Sequence, residues 1–391
     1  MATNESAIKS RVRTQLAELV AIPSVSAVNP DFDMSNRAVI ECLDDWYSSA
    51  GFSTRVQSVT DTPDKANLIA RLGPDNQDDG LVLSGHTDTV PFDAGRWKSD
   101  PFVLDERDGR WYGLGSADMK CFFPLILAAL EGIDAQELRR PLVMVATADE
   151  ESTMNGARKI AEAGERLGRY VVIGEPTQLI PIHKHKGILI GKIDLIGRSG
   201  HSSDPALGAN ALDCMHNIIS GLKAWRERTA ENLRDEDFAV PTPTMNLGTI
   251  RGGDSPNRIC ADCELMFDIR MLPGMSVDAI RSELSEIVDE CCASEGIQGQ
   301  LRLTMEPLPA MDTPLASPIV QALQEAGGCQ SKTVAFATEG PFFNALGSDS
   351  VIFGPGDIAT AHQPDEYVDI DRALRMVDIL RSLIERFCIH G

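Results

Sequence analysis

Histidines and carboxylates recur in this chain just where short apolar runs end. His86 follows Leu81-Val82-Leu83-Ser84-Gly85, and His362 follows Val351-Ile352-Phe353 after a short loop containing Gly and Pro. Asp149-Glu150-Glu151 follows Leu142–Ala148, and Glu175 follows Tyr170–Gly174. Apolar runs of this length, separated by helical stretches, are predicted to be buried strands of a mixed or parallel α/β sheet. Ligands of open α/β sheets gather at the carboxyl ends of strands. Taken singly, each of these residues reads as a cap, a turn or a solvated acidic patch. Together they form a constellation that suits a metal site.

The elements that must position them follow from periodicity. Ile8, Val12, Leu16, Leu19 and Val20 fall at helical spacing, with Pro23 just beyond. Val39, Leu43 and Trp46 mark a second helix, and further helices are predicted over Met119–Glu131 and Asn155–Glu165. From about Gly187 the order changes to strand (188–196), helix (210–226), strands (244–250 and 259–270), helix (277–292) and strand (300–306). That is βαββαβ, the ferredoxin-like order. After Pro307 the α/β pattern resumes, with a strand at Val351–Phe353 and a closing helix near Ala373–Phe387. The fold class expected is α/β with a mixed sheet, interrupted by an inserted α+β domain. The boundaries are 1–186 and 308–391 for the two parts of the first domain and 187–307 for the insert.

Composition narrows the partners. The 391 residues carry a formal charge of −22, which argues against nucleic acid and anionic membrane surfaces, since phosphates need clustered cations. Nine cysteines, two of them adjacent (Cys291 and Cys292), read as reduced thiols of a cytoplasmic protein. Cys260-x-x-Cys263 has no second such pair and is taken as part of a strand. The polar segment Met1–Arg13 has no apolar signal core, and no run of 18 apolar residues is present.

Five segments extend the pattern: Ser84-Gly85-His86-Thr87-Asp88, Gly113-Leu114-Gly115-Ser116-Ala117-Asp118-Met119-Lys120, Ala148-Asp149-Glu150-Glu151-Ser152, Gly174-Glu175-Pro176 and Ala361-His362-Gln363-Pro364-Asp365-Glu366. In this combination the chain resembles the M20 family of dinuclear metallohydrolases over nearly its whole length. The resemblance implies that His86 and Glu175 bind one metal, Glu151 and His362 the other, and Asp118 both. It implies that Asp88 orients the His86 imidazole and that Glu150 is general base and then general acid. Oxygen and nitrogen donors of this kind suit Zn²⁺, Co²⁺ or Mn²⁺, with two ions of Zn or Co expected. In an extended chain Glu150 and Glu151 point opposite ways, which would divide base from ligand. Members acting as aminopeptidases have Asp where this chain has Glu175, which disfavours a tripeptidase.

Further segments resemble those of the deacylases of the family. Ser199-Gly200-His201-Ser202-Ser203 suggests His201 as a donor to the scissile carbonyl, and Asn257-Arg258 resembles a clamp for the substrate α-carboxylate. Thr338-Glu339 suggests Glu339 as the acceptor for a substrate ammonium. The activity implied is hydrolysis of N2-acetyl-L-ornithine to L-ornithine and acetate. Alternatives at this stage are deacylation of N-acetylcitrulline or succinyl-diaminopimelate, or a non-catalytic scaffold. The insert is expected to serve as lid and to pair two chains into a homodimer. Cys121 stands where the family usually has Gly after Asp-Met-Lys, and it is taken as a small buried residue.

Overall fold

The apolar runs become four neighbouring parallel strands in a computed structural model that describes residues 2–59, 64–75, 78–93 and 95–390. They lie in the order Leu142–Thr147, Leu81–His86, Tyr170–Ile173 and Asp349–Ile352. Register aligns their carboxyl ends: His86 faces Thr147, Ser84 faces Ile173, and Ile173 faces Ile352. Antiparallel strands Ala66–Leu72 and then Ser53–Ser58 extend one side. Ile182–His185 joins the other side, where Ile182 faces Ile352.

Alternation along each strand explains why both faces are covered. Leu81, Leu83, Leu142, Met144 and Val172 point into one core with the helix Phe122–Ala129, while Val82, Val143, Val145, Val171 and Ile173 point into another with Ile160 and Phe343. With both faces buried, the strands carry unbroken apolar runs. Gly174, at the carboxyl end of one strand, is required by packing, because a Cβ there would lie 2.2 Å from the Phe122 ring.

The chain divides into two compact units. One comprises Met1–His183, Thr313–Lys332 and Thr338–Gly391, and the other Lys184–Asp312 and Thr333–Ala337. The second unit contains the βαββαβ order as an antiparallel sheet of Thr244–Gly252, Asp262–Met271, Gly187–Ile196 and Gln298–Leu303, in that spatial order. Its helices are Ala211–Asn232, capped by the Asn210 side chain, and Val277–Glu295, capped by Ser276 and ended by Gly296 at φ +61°. The first of these runs six residues beyond the predicted end at Arg226, because Glu227–Asn232 holds no Gly or Pro to stop it. Cys263 lies in a strand, and the Cys260 thiol donates to the Asp262 carbonyl. No helix of the described residues is long and apolar enough to cross a membrane.

Candidate metal centre

His86 closes its strand with the ring fixed at one nitrogen. Nδ1 donates to the Asp88 backbone carbonyl at 2.9 Å, which leaves the Nε2 lone pair free to coordinate. Nε2 lies 3.0 Å from Asp118 Oδ1 and 3.6 Å from Glu175 Oε1. On the other side His362 Nε2 lies 3.3 Å from Asp118 Oδ2 and 2.9 Å from Glu151 Oε1. In each triad, His86–Asp118–Glu175 and Asp118–Glu151–His362, the donor atoms all fall within 4.8 Å of one another. One carboxylate thus serves both triads, an oxygen to each. Glu175 Oε1 is buried and lacks a hydrogen-bond partner among the described residues. A lone pair buried without a donor is costly in any role except as a ligand. The donor set and this orphaned oxygen fit a pair of divalent ions.

Electrostatics agree with that reading. Burial pushes the carboxyls of Glu175 and Glu151 above their ordinary range, and the Asp118 charge pushes both further. Burial also raises Glu150, with Glu175 adding to it. For Asp118, burial acts upward, but hydrogen bonds to His362 and His86 prevail and hold it low. Hydrogen bonds to Asp118 and Glu151 push the His362 imidazole up to about 10. Carboxylates this crowded demand positive charge, which metal ions provide.

Glu366, without a role in the sequence reading, holds the Asp118 backbone in place. Glu366 is buried, and its carboxylate accepts backbone N–H groups from Gly115 at 3.1 Å, Ala117 at 2.8 Å and Asp118 at 3.0 Å. Burial and the nearby Asp118 charge push its pKa up to about 8, against those three donors. Lys120, also buried, donates to the carbonyls of Leu19 and Ile22 at the end of the first helix. Burial lowers its pKa to about 7. Glu366 lies four residues past His362, so one short segment supports ligands of both triads. The signal for it was the acidic end of the His362 motif; what it binds is backbone, which no side-chain pattern reveals.

Geometry details one expectation and corrects another. Asp88 meets His86 through its main-chain carbonyl, its carboxylate being 3.8 Å from Nδ1. The carboxylate instead accepts the backbone N–H of Glu150 at 3.3 Å and of Glu151 at 3.0 Å. Residues 149–153 form a turn and not extended chain, so the division between Glu150 and Glu151 comes from that turn.

The structure gathers His86, Asp88, Asp118, Glu150, Glu151, Glu175, Glu339 and His362 in the first unit and His201, Asn257 and Arg258 in the second. His201 is exposed, its Nδ1 2.8 Å from Ser203 Oγ, and its main chain forms an antiparallel β-bridge with Arg258. Ser202 N–H donates to the Asn257 carbonyl, and Arg258 pairs with Asp254. Glu339, the expected acceptor for a substrate ammonium, is buried in the first unit. It is 1 % exposed, and its oxygens accept from Ser84 Oγ and Thr147 Oγ1 at the ends of two central strands. Burial pushes its pKa up, while those hydroxyls act the other way. Cys121 is buried, and burial alone raises its thiol pKa, which makes it a packing residue.

A mixed α/β sheet whose carboxyl edge presents two metal triads joined by a shared aspartate defines a metal-dependent hydrolase with a dinuclear centre. Residues 82–386 match the family described as peptidase family M20/M25/M40, and the chain belongs to that family. It is 44% identical over 376 residues to an acetylornithine deacetylase of Proteus mirabilis, covering 95% of each chain. It is 44% identical over 374 residues to an acetylornithine deacetylase of Klebsiella pneumoniae, covering 95% of this chain and 96% of that one. The crystal structure of an M20 family metallo-carboxypeptidase from Sulfolobus solfataricus shares the fold, with a TM-score of 0.72, 19% identity, and coverage of 95% of this chain and 98% of that one.

Proposed function

We propose that this protein is an acetylornithine deacetylase, hydrolysing N2-acetyl-L-ornithine to L-ornithine and acetate as a step of arginine biosynthesis. Asp118, shared between the two triads, is the observation that carries the hydrolytic reading. The choice of substrate is supported by the 44% identity to deacetylases across 95% of their length. His86 and Glu175 would hold one ion, Glu151 and His362 the other, and Asp118 both, with Zn²⁺ or Co²⁺ best suited. Such ions, when bound, polarise the acyl carbonyl and make a bound water more acidic.

The chain's own groups do the rest. Glu150 takes a proton from the attacking water as the new C–O bond forms. It then gives that proton to the ornithine α-nitrogen as the amide C–N bond breaks, so atoms and charge balance. His201 donates to the carbonyl oxygen, and Asn257 and Arg258 receive the substrate carboxylate. The second unit acts as the lid and joins two chains in a homodimer, a reading supported by the exposed edge strand Thr244–Gly252. The acidic balance argues against nucleic acid as a partner, and nine free cysteines support a cytoplasmic location.

A substrate panel tests the assignment. Metal-loaded enzyme should prefer acetylornithine over acetylcitrulline and succinyl-diaminopimelate in kcat/KM, and Glu150→Gln should lose ~10²–10⁴-fold in kcat. No hydrolysis of any N-acyl amino acid above buffer would leave a scaffold.

A further inference from the structure

The loop that carries Glu150 and Glu151 is tied at its base, at its backbone and at one side chain. Gly156 N–H donates to the Ala148 carbonyl at 3.1 Å. Asn67 bridges the same two residues, accepting from Ala148 N–H at 3.1 Å and donating to the Gly156 carbonyl at 2.9 Å. A Cβ at Gly156 would lie 2.4 Å from the Ala148 oxygen, so only glycine closes this ring. Within the loop, Asp88 holds the backbone N–H groups of Glu150 and Glu151.

The remaining tie has no part in the chemistry assigned so far. Asp149, at φ +59°, directs a buried carboxylate toward Lys65 and Ser26. Its Oδ1 lies 2.8 Å from Lys65 Nζ and accepts from Ser26 Oγ at 2.9 Å. Ser26 Oγ also meets Ser152 Oγ at 2.6 Å, so one hydroxyl touches both sides of the Glu150-Glu151 pair. Lys65 is only 5 % exposed, with its ammonium between Asp149 and Asp33, each at 2.8 Å. Taking an ammonium and a carboxylate out of water is costly, and an apolar pair of similar size would hold a sheet edge as well or better. An apolar pair makes no directional contact to a single oxygen, whereas the ammonium and hydroxyl hold Asp149 Oδ1 at a set position and so help to fix the turn it belongs to. The Asp149 main chain shows that turn: its carbonyl accepts from Thr153 at 3.1 Å and Met154 at 2.7 Å while its φ is left-handed.

We propose that Lys65 is a positioning residue, which through Asp149 fixes the turn that aims Glu150 at the substrate and Glu151 at its ion. The inference rests on the roles given above to Glu150 and Glu151.

The test compares Lys65→Met, Lys65→Arg and Asp149→Asn with Glu150→Gln. Asp149→Asn keeps the side-chain shape, tolerates left-handed backbone and retains an acceptor for Ser26, so it stands in if Lys65→Met does not fold. Lys65→Met and Asp149→Asn should lower kcat by about 10²-fold with KM nearly unchanged, since a displacement of about 1 Å in a catalytic group costs that much. Metal-free protein titrated with Co²⁺ should bind one ion ~10–100-fold more weakly and the other as in wild type. Lys65→Arg should restore part of both losses. Wild-type kcat and a wild-type Co²⁺ isotherm in Asp149→Asn, and in Lys65→Met where that variant folds, with only a lower unfolding temperature, would overturn the proposal. If Glu150→Gln keeps wild-type turnover, the reading of Glu150 fails instead, and the Co²⁺ isotherm still decides whether Lys65 positions Glu151.

Discussion

Replacing Glu366 by Gln probes how rigidly the shared ligand is held. The carboxylate takes three backbone N–H groups, two on Oε1 from Ala117 and Asp118 and one on Oε2 from Gly115. Glutamine has one oxygen, which can keep Ala117 and Asp118. Its amide NH₂ then faces the Gly115 N–H, donor against donor. One buried hydrogen bond to a charged group is lost and one buried donor is stranded, at a cost of ~1–3 kcal/mol. Above about pH 8, where Glu366 is charged, removing its negative charge beside Asp118 offsets part of that, so about 2 kcal/mol is expected in unfolding measured there. In a unit of this size that lowers Tm by ~4–8 °C. Glu366→Ala strands all three donors and should fall further. The assay is thermal unfolding of metal-free protein together with Co²⁺ titration. Both ions should bind more weakly in Glu366→Gln, because Asp118 serves both triads. Wild-type Tm and two wild-type affinities would refute the argument that this carboxylate sets the position of Asp118.

Further outcomes follow from other contacts. His362→Ala removes a donor from one triad only, so metal analysis should find one ion lost and one kept; two tightly held ions in that variant would contradict the assignment. Glu339→Gln should lower turnover of acetylornithine and acetylmethionine alike, since its oxygens are occupied by Ser84 and Thr147; a loss confined to acetylornithine would restore it as the ammonium reader. Burial lowers the pKa of His185 from 6.5 to about 4. The unfolded chain therefore binds that proton first, and stability present above pH 6.5 declines toward pH 4, by about 3 kcal/mol at 1.36 kcal/mol per pH unit. Urea unfolding across that range should show a shallower decline in His185→Gln, and equal slopes would exclude the effect. Dimers mixed from Glu150→Gln and His201→Ala chains should regain activity at part of their sites if His201 serves the partner chain; activity no higher than the parents, with exchange of subunits shown, would place it in its own chain.

His86, Glu151, Glu175 and His362 were legible because buried parallel strands write themselves as apolar runs whose ends lie at the carboxyl edge, whereas Asp118 follows no such run and was marked only by the resemblance of its segment. Tyr170–Ile173 has the bounds read from sequence, and the helix after Gly340 places Glu339 in the same unit as the ligands. The supports were not legible for a different reason. Asp88, Glu366 and Lys120 bind main-chain groups, and Lys65 meets Asp149 from far along the chain, so neither spacing nor residue type announces the partner. The turn at Glu150 was hidden in the same way: without knowing that Asp88 takes two N–H groups, extended chain is the simplest continuation of an apolar strand. Exposed ends such as Ser53–Ser58 lack an apolar run and went unread.

Four of the five ligands follow strand ends and Asp118 lies in the turn before the helix Phe122–Ala129, with His86 and His362 far apart in the chain. An unfolded chain offers no such grouping, so the ions bind the folded form almost alone. Whatever free metal the surroundings hold is then a stabilising agent in its own right. At a free concentration of 100 Kd a single ion adds about 2.7 kcal/mol to the unfolding free energy. The shared Asp118 joins the two occupancies, so the ion on one side shapes the site for the other. A cell that starves for the metal would lose the enzyme's turnover and its lifetime together, and a chelator would act on this protein as a mild denaturant.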